Sequence, residues 1–196
     1  MSTLSTNVNN SLKQYGYKVY TANQKLNLVS RKRNLQQINN QTEESILPLS
    51  WDICKLKSPA LDIGTGAGFP GIPLNIVNPA LNMTLLDSNR RKCAFLTGIV
   101  SNLQLSNVSV ICSRAEEFSG ATNNFKKYNT LVSRGVGKTN MMLNWAENLL
   151  NLQGELILWK DDSVKDELAE INQDIWETPQ FLQCKSNLVL VRIVRK

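Results

Sequence analysis

From Pro59 onward, short apolar runs alternate with stretches of helical periodicity, and no other feature limits the possible folds as strongly. Five runs have the length of buried strands, and they cover residues 60–63, 83–86, 108–112, 129–132 and 155–159. Apolar residues recur at helical spacing over 70–77, 89–103, 139–151 and 163–174. Strands that alternate with helices form βαβ units. We therefore predict an α/β fold whose mostly parallel sheet carries helices on both faces.

Two further strands are predicted near the end of the sequence, at about 180–185 and 187–194, separated by Ser186 and Asn187. Strands joined by so short a link must be antiparallel. The chain then forms a seven-stranded sheet that ends in an antiparallel hairpin. This arrangement is characteristic of the Rossmann-like class I methyltransferase fold.

The residues before Pro59 have a different pattern. One apolar helical stripe is formed by Leu12, Tyr15, Val19, Ala22 and Leu26. We expect loops around Asn23 and at 39–40 to interrupt this helical region. Ser58 should end it, because the residue before a proline is pushed out of the helical conformation. The prediction is an N-terminal helical extension over 1–57 and one main domain over 58–196.

Positive charge is concentrated in the N-terminal third. The formal net charge is +6, and residues 1–57 contain eight Lys/Arg against three Asp/Glu, whereas the remainder contains fourteen against thirteen. A second basic cluster consists of Arg90, Arg91, Lys92, Arg114, Lys126, Lys127, Arg134 and Lys138. Such side chains neutralise phosphates and release counterions, so the distribution favours a polyanionic partner. A solvated basic surface without a partner is the alternative.

Neither a membrane span nor an export signal is expected. Polar residues or prolines interrupt every apolar run well before the roughly 18 residues that a bilayer requires. Residues 1–10 lack the basic and apolar regions of a secretory signal, so we expect a cytoplasmic protein. The four cysteines, none in a CxxC pair, are Cys54, Cys93, Cys112 and Cys184. Because the chain has no histidine, we predict no metal site. The cysteines are far apart and lie inside or beside apolar stretches, so we predict that they are reduced core residues.

The strongest local motif is ALDIGTGAGF at 60–69, where a strand runs directly into three glycines. Glycine permits a tight turn and lets a ligand approach the backbone. A dinucleotide-binding loop would read GxGxxG, but Phe69 occupies the last position. An acidic residue followed by GxGxG, here Asp62 with Gly64 and Gly66, is expected for S-adenosyl-L-methionine, whose sulfonium and ammonium are cationic. An NAD-dependent oxidoreductase with the same βαβ start remains an alternative.

The turns after the following strands supply further candidates. Asp87 ends the second strand, where a carboxylate can bind ribose hydroxyls at the carboxyl edge of the sheet; capping the next helix is its alternative role. The turn CSRAEE at 112–117 would flank an adenine edge. Arg134 follows the fourth strand and would point into the same crevice, with a structural salt bridge as its alternative.

Longer stretches around these residues resemble the RsmG (GidB) family of methyltransferases that act on small-subunit (16S) ribosomal RNA. LDIGTGAGFPGIPL at 61–74 is nearly the family's signature. TLLDS, KCAFL, RAEEF, LVSRG and LWK follow in the family's order and spacing, and NQKLNLVS at 23–30 resembles its upstream helical motif. The resemblance covers nearly the whole chain.

The resemblance implies methyl transfer from S-adenosyl-L-methionine to N7 of a guanosine in the 530 loop of that RNA, either naked or in a ribosomal particle. The implied cofactor-binding residues are Asp62, Gly64, Gly66, Phe69, Asp87, Ser88, Asn89, Ala115, Glu116 and Arg134. Arg134 would also position the reactants. The extension over 1–57 would bind RNA and cover the cleft, with Tyr15, Tyr17 and Tyr20 as stacking partners or half-buried core residues. We expect a monomer.

The sequence also departs from the family pattern. Family members usually carry a histidine shortly before an Asp-Ser pair, where this chain reads QTEES at 41–45. SRG with Gly135 replaces SRA, and Lys160-Asp161 replaces Lys-Gly. We expect these changes to affect RNA positioning or rate and to leave cofactor binding intact. They also keep open a non-catalytic RNA- or ribosome-binding protein that retains the cofactor pocket.

Guanine-N7 methylation is compatible with a chain that lacks histidine. N7 presents an in-plane lone pair, so the attacking step requires no general base, and catalysis would come from alignment in a dry pocket. Glu116 is the candidate carboxylate beside the cationic product. Cytosine-C5 transfer would need a cysteine nucleophile, usually after proline, and the sequence contains no Pro-Cys.

Overall fold

The computed structural model describes residues 4–184 and 187–196 and contains one seven-stranded sheet. The strand order is β3-β2-β1-β4-β5-β7-β6. The strands are β1 Ala60–Ile63, β2 Met83–Asp87, β3 Val108–Cys112, β4 Tyr128–Arg134, β5 Leu150–Lys160, β6 Gln180–Gln183 and β7 Val189–Val194. The first five are parallel, and β7 pairs antiparallel with both β5 and β6. The predicted α/β architecture is confirmed.

Seven α-helices surround the sheet within the described part of the chain. They are α1 Thr6–Leu26, α2 Leu35–Ser45, α3 Gly71–Val77, α4 Arg90–Asn102, α5 Ala115–Gly120, α6 Thr139–Leu149 and α7 Val164–Glu167. One hydrophobic core joins α1, α2, α3 and α4 to one face of the sheet, and a second joins α5, α6 and α7 to the other. Both faces of the central strand β1 are therefore covered, which explains why all four of its residues are buried.

The breaks predicted in the N-terminal extension are wrong. Asn23 lies inside α1, where its side chain accepts a hydrogen bond from the Val29 amide (3.0 Å) and so shapes the loop beyond the helix. The helix ends at Leu26, and its C-cap residue Asn27 adopts the left-handed conformation. Residues 39–40 lie inside α2, whose N-cap residue Asn34 forms a capping box with Gln37. A buried asparagine that bonds to a later loop need not break its own helix.

Three boundaries in the main domain also differ from prediction. Strand β5 begins at Leu150 without a loop after α6, because Leu150 already pairs with Tyr128. The helix predicted over 163–174 is only a single helical turn, α7. Further turns follow it, and this segment buries the side chains of Val164, Leu168 and Trp176. The CSRAEE turn runs into α5, which was not predicted. Ser186, one residue of the predicted hairpin turn, lies outside the described residues.

Candidate functional site

The carboxyl ends of β1, β2 and β4 meet at one edge of the sheet, and the loop after β1 lies between them. Gly64 and Gly66 have positive φ angles of 68° and 62°. A Cβ on Gly64 would lie 2.3 Å from a methyl carbon of Val136, so only glycine fits there. A Cβ on Gly66 would meet nothing closer than 3.9 Å. The loop is thus tightly packed at its start and open at Gly66.

Asp62 lies beneath this loop and is completely buried. Its Oδ2 accepts hydrogen bonds from the Thr65 hydroxyl (2.7 Å) and the Gly71 amide (2.8 Å). Its Oδ1 has no hydrogen-bond partner among the described residues. Burial raises the pKa of Asp62 to about 7, although the bonds from Thr65 and Gly71 oppose the rise. A buried acceptor without a partner is costly, so this oxygen favours a donor or cation.

Asp87 connects the glycine loop to the start of α4. Its Oδ2 accepts from the Gly66 amide (2.9 Å) and its Oδ1 from the Asn89 amide (2.8 Å). The alternative role of Asp87 as a helix cap is wrong, because Asn89 caps α4 through bonds from the amides of residues 91 and 92. Ser88 is exposed between them. The structure therefore brings Asp87, Ser88 and Asn89 to the open side of Gly66.

The other predicted cofactor residues lie on either side of this loop. Phe69 is buried, with its ring against Tyr15 at a centroid separation of 5.2 Å. Its side chain therefore supports the loop from the core. Ala115 and Glu116 form the first turn of α5, and the neighbouring Ser113 amide donates to the Asp87 carbonyl oxygen (3.2 Å).

Arg134 forms the salt bridge that was its alternative role. Its guanidinium pairs with Glu44 on α2 and donates to the Gln41 carbonyl oxygen (3.4 Å). Burial lowers the pKa of Arg134, and Glu44 counteracts this. Trp159 at the end of β5 donates its ring N–H to the Glu44 carbonyl oxygen (2.8 Å). Helix α2 is thus fixed to the carboxyl ends of β4 and β5.

Sequence reasoning missed two contributions of the N-terminal extension. Tyr15 is completely buried and donates to the Ala67 carbonyl oxygen (3.0 Å), so of its two predicted roles the core residue is confirmed and the RNA-stacking partner is wrong. In the sequence, Glu44 stands out only as a departure from a family motif. The available signal was its place beside Ser45, at the position where the resembled family pattern has an Asp-Ser pair. Tyr17, by contrast, is 59% exposed.

Comparison with known proteins identifies the family. The family model described as "rRNA small subunit methyltransferase G" (GidB) matches residues 8–188. The chain belongs to the GidB family. A GidB relative from Oenococcus oeni, named "Ribosomal RNA small subunit methyltransferase G", is 37% identical over 71% of this chain and 61% of its own length. The relative of the same name from Carboxydothermus hydrogenoformans is 46% identical over 57% of this chain and 47% of its own length. The matched part thus spans about half to two thirds of these relatives.

Solved structures share the GidB chain's fold at low sequence identity. An rRNA methylase from Streptococcus thermophilus has a TM-score of 0.58 and 14% identity, covering 79% of this chain and 96% of its own. A mutant of MtNAS, solved with S-adenosylmethionine, has a TM-score of 0.63 and 13% identity over 95% of this chain and 72% of its own. They confirm a Rossmann-like methyltransferase fold. Among the helices of the described part, none is long and apolar enough to cross a membrane.

Proposed function

We propose that this chain is an S-adenosyl-L-methionine-dependent methyltransferase that methylates N7 of a guanosine in the 530 loop of small-subunit ribosomal RNA. Family membership supports the reaction and its substrate. Among the structural neighbours, MtNAS and the TYW2 protein of M. jannaschii were solved with this cofactor. The observation that carries the proposal is the unpartnered Asp62 Oδ1, within the described residues, buried beneath an open glycine loop.

The residues present fit this cofactor. Asp62 offers a buried negative charge to a cationic ligand, and the open face of Gly66 lets a ligand approach the backbone. The Asp87 carboxylate is held by two backbone amides and keeps lone pairs for ribose hydroxyls. The backbone at Ala115 and Glu116 would flank the adenine. In this assignment Asp62 binds the cationic end of the cofactor, and Asp87 binds its ribose hydroxyls.

The cofactor, when bound, supplies an electrophilic methyl group. The chain's own residues would orient the reactants and exclude water, because guanine N7 needs no proton removed before it attacks. Arg134 lies at the end of β4, and its salt bridge to Glu44 fixes its side chain. From there it would position the RNA relative to the cofactor. Glu116 is exposed near the same edge and would face the cationic product ring.

RNA would approach over basic side chains beside the site. Arg90 and Arg91 are exposed at the start of α4, next to Asn89, and Arg114 is exposed before α5. None of the three forms an ion pair within residues 4–184 and 187–196. The positive end of the helix dipole repels cationic side chains at a helix N-terminus. A bound phosphate would offset this repulsion, so the arrangement favours phosphate binding.

Two measurements test the proposal. Calorimetry should detect uptake of S-adenosylhomocysteine and none of NAD. Incubation of the protein and radiolabelled cofactor with small-subunit RNA or particles from a strain lacking the modification should label one guanosine, located by mass mapping. Cofactor uptake without label on either substrate would favour a non-catalytic RNA-binding protein. No uptake would contradict the proposal.

We also propose that the protein acts as a monomer in the cytoplasm, where its ribosomal substrate is found. Light scattering should give a mass near 22.0 kDa. A mass of twice that value would contradict the monomer.

A further inference from the structure

Two cysteines meet directly behind the Asp87 loop. Cys93 lies in α4 and Cys112 ends β3, where its backbone pairs with that of Asp87. The Cys93 thiol donates to the Asp87 carbonyl oxygen (3.3 Å), and the Cys112 thiol lies 3.9 Å from the next carbonyl oxygen, that of Ser88. The two sulfur atoms thus contact the carbonyl oxygens of consecutive residues in the loop that would hold the cofactor ribose.

The two thiols have opposite environments. Cys93 is 7% exposed, whereas Cys112 is exposed, so the prediction that all four cysteines are core residues is wrong for Cys112. Burial, together with the adjoining Cys112 thiol, raises the pKa of Cys93 to about 12. Reagents in solution therefore reach Cys112, and Cys93 lies beside it as a second thiol.

We propose that Cys93 and Cys112 form a modification site at which low-molecular-weight disulfides are reduced and an intramolecular disulfide is formed. This inference rests on the proposed function only for its consequence on cofactor binding. It goes beyond that function because no step of methyl transfer uses either thiol.

The chemistry balances as two thiol–disulfide exchanges. The Cys112 thiolate attacks one sulfur of the small disulfide, whose S–S bond breaks and releases one thiolate. The Cys93 thiol then loses its proton and its sulfur attacks Cys112 in the mixed disulfide, which releases the second small thiolate. The two protons lost by the cysteines pass to the two released thiolates. The protein dithiol is oxidised, and the small disulfide is reduced to two thiols.

Oxidation would loosen the loop. A disulfide has no S–H, so the hydrogen bonds to the carbonyl oxygens of Asp87 and Ser88 are lost, and the sulfurs must approach to about 2.05 Å. The peptide groups on which the sulfurs rest must then shift. Since the Asp87 carboxylate holds the amides of Gly66 and Asn89, these bonds weaken, and the cofactor site with them.

The test uses the full chain treated with glutathione disulfide, with and without later reduction by dithiothreitol. Peptide mapping should show a Cys93–Cys112 link and a mass decrease of about 2 Da. Hydrogen exchange at the Gly66 and Asn89 amides should accelerate reversibly. S-adenosylhomocysteine affinity should fall at least about tenfold, as expected when a charge-assisted hydrogen bond is lost.

Cys112→Ser should abolish all three changes, whereas Cys54→Ser, which removes a half-buried thiol elsewhere, should keep them. A stable mixed disulfide on Cys112 without the intramolecular link, or a link that leaves amide exchange unchanged, would overturn the inference. Absence of S-adenosylhomocysteine binding by the reduced protein would instead contradict the proposed function. The mapping and exchange results would still decide whether this site exists.

Discussion

Asp62 is the residue on which the proposed chemistry most depends. It is completely buried, yet one of its carboxylate oxygens has no partner within the described residues. In the ligand-free protein this arrangement favours the protonated form, which is why the pKa of Asp62 rises to about 7. A bound ammonium or sulfonium favours the ionised form. Cofactor binding and proton release from Asp62 should therefore be linked.

This linkage gives a pH-dependent affinity. Below pH 7 the ligand must displace the Asp62 proton, so the Kd for S-adenosylhomocysteine should rise up to about tenfold per pH unit. Asp62→Asn should bind at least about tenfold more weakly at pH 8 and should lose most of the pH dependence. Calorimetry between pH 5.5 and 8.5 measures both. The exposed Asp161→Asn should match the unsubstituted protein, and a flat profile for that protein would contradict the linkage.

Glu44 acts on the site through Arg134. The Arg134 side chain is only 16% exposed, whereas that of Glu44 is 37% exposed, so their pair is neither fully buried nor fully screened. Loss of Glu44 would leave Arg134 charged in a largely buried position without its partner. The guanidinium would then turn toward water and leave the position fixed by α2.

Glu44→Ala should lower the free energy of unfolding by about 1–2 kcal/mol. It should also reduce the single-turnover rate constant for RNA methylation at least about tenfold, because misplacement of reactants affects the transition state most. Denaturant unfolding and single-turnover methylation measure these effects. Glu43→Ala, on the neighbouring exposed residue, is the matched control. Equal loss in both variants would indicate a general effect on α2.

At the scale of elements, α1 and α3 fix the glycine loop from two sides. Tyr15 of α1 bonds to the Ala67 carbonyl oxygen, and the Gly71 amide at the start of α3 bonds to Asp62. A Cβ on Gly71 would lie 2.4 Å from the Leu85 side chain and 2.8 Å from Asp62 Oδ2. The loop is thus preorganised by helices and not by its own sequence alone.

Tyr15→Phe removes one hydroxyl from this arrangement and leaves the ring in place. The Ala67 carbonyl loses its donor, which should cost about 1 kcal/mol of stability. Cofactor affinity should fall about two- to fivefold, because the loop must be ordered on binding. Thermal unfolding and calorimetry are the measurements. Tyr17→Phe alters an exposed ring on the same helix and should change neither.

Gly71→Ala tests the other contact. The added methyl group has no free space, so α3 must move away from β2 and Asp62, at a cost of about 1–3 kcal/mol. Gly98→Ala adds the same group at an exposed position of α4, where nothing lies within 4 Å, and should stabilise by about 0.5–1 kcal/mol. In denaturant unfolding, the free energy of unfolding should therefore fall in Gly71→Ala and rise in Gly98→Ala. Stabilisation by both would contradict the packing described for α3.

At the scale of the whole molecule, the N-terminal extension and the sheet share one core. Leu12, Tyr15, Val19 and Ile38 belong to the same buried cluster as Ile72 and Leu85. The division at residue 57 therefore remains a prediction about function, while the packing joins both parts. Such packing favours a single cooperative unfolding transition.

Asp62 also affects the stability of the whole fold. Its folded pKa of about 7 exceeds the ordinary value of 3.8, so the folded state binds this proton more tightly than the unfolded state. Its contribution is fully present below about pH 4 and is lost as the pH rises through about 7. At pH 8 without ligand, Asp62→Asn should therefore unfold at a higher temperature than the unsubstituted protein, with a smaller difference at pH 5. A lower Tm at pH 8 would contradict the assigned cost of the buried carboxylate.

The order of strands and helices along the chain, and the edge of the sheet at which the candidate site lies, follow from the amino-acid sequence alone. Alternating strands and helices require a parallel sheet, and the carboxyl ends of neighbouring parallel strands share one edge, so Asp62, Gly66 and Asp87 had to converge. These features follow from local periodicity and from the general geometry of βαβ units. Helix ends that depend on one asparagine or on strand pairing, such as those near Asn23 and Leu150, were predicted less well.

The way in which α1 and α2 meet that edge depends on long-range packing and could not be predicted from the sequence. The bonds of Tyr15 to Ala67 and of Glu44 to Arg134 join residues that are 52 and 90 positions apart. The thiols of Cys93 and Cys112 likewise meet through the pairing of β2 with β3 and the packing of α4 against them. Helical periodicity shows which face of a helix is buried, but not where along the sheet it docks, because that depends on side-chain packing between distant segments.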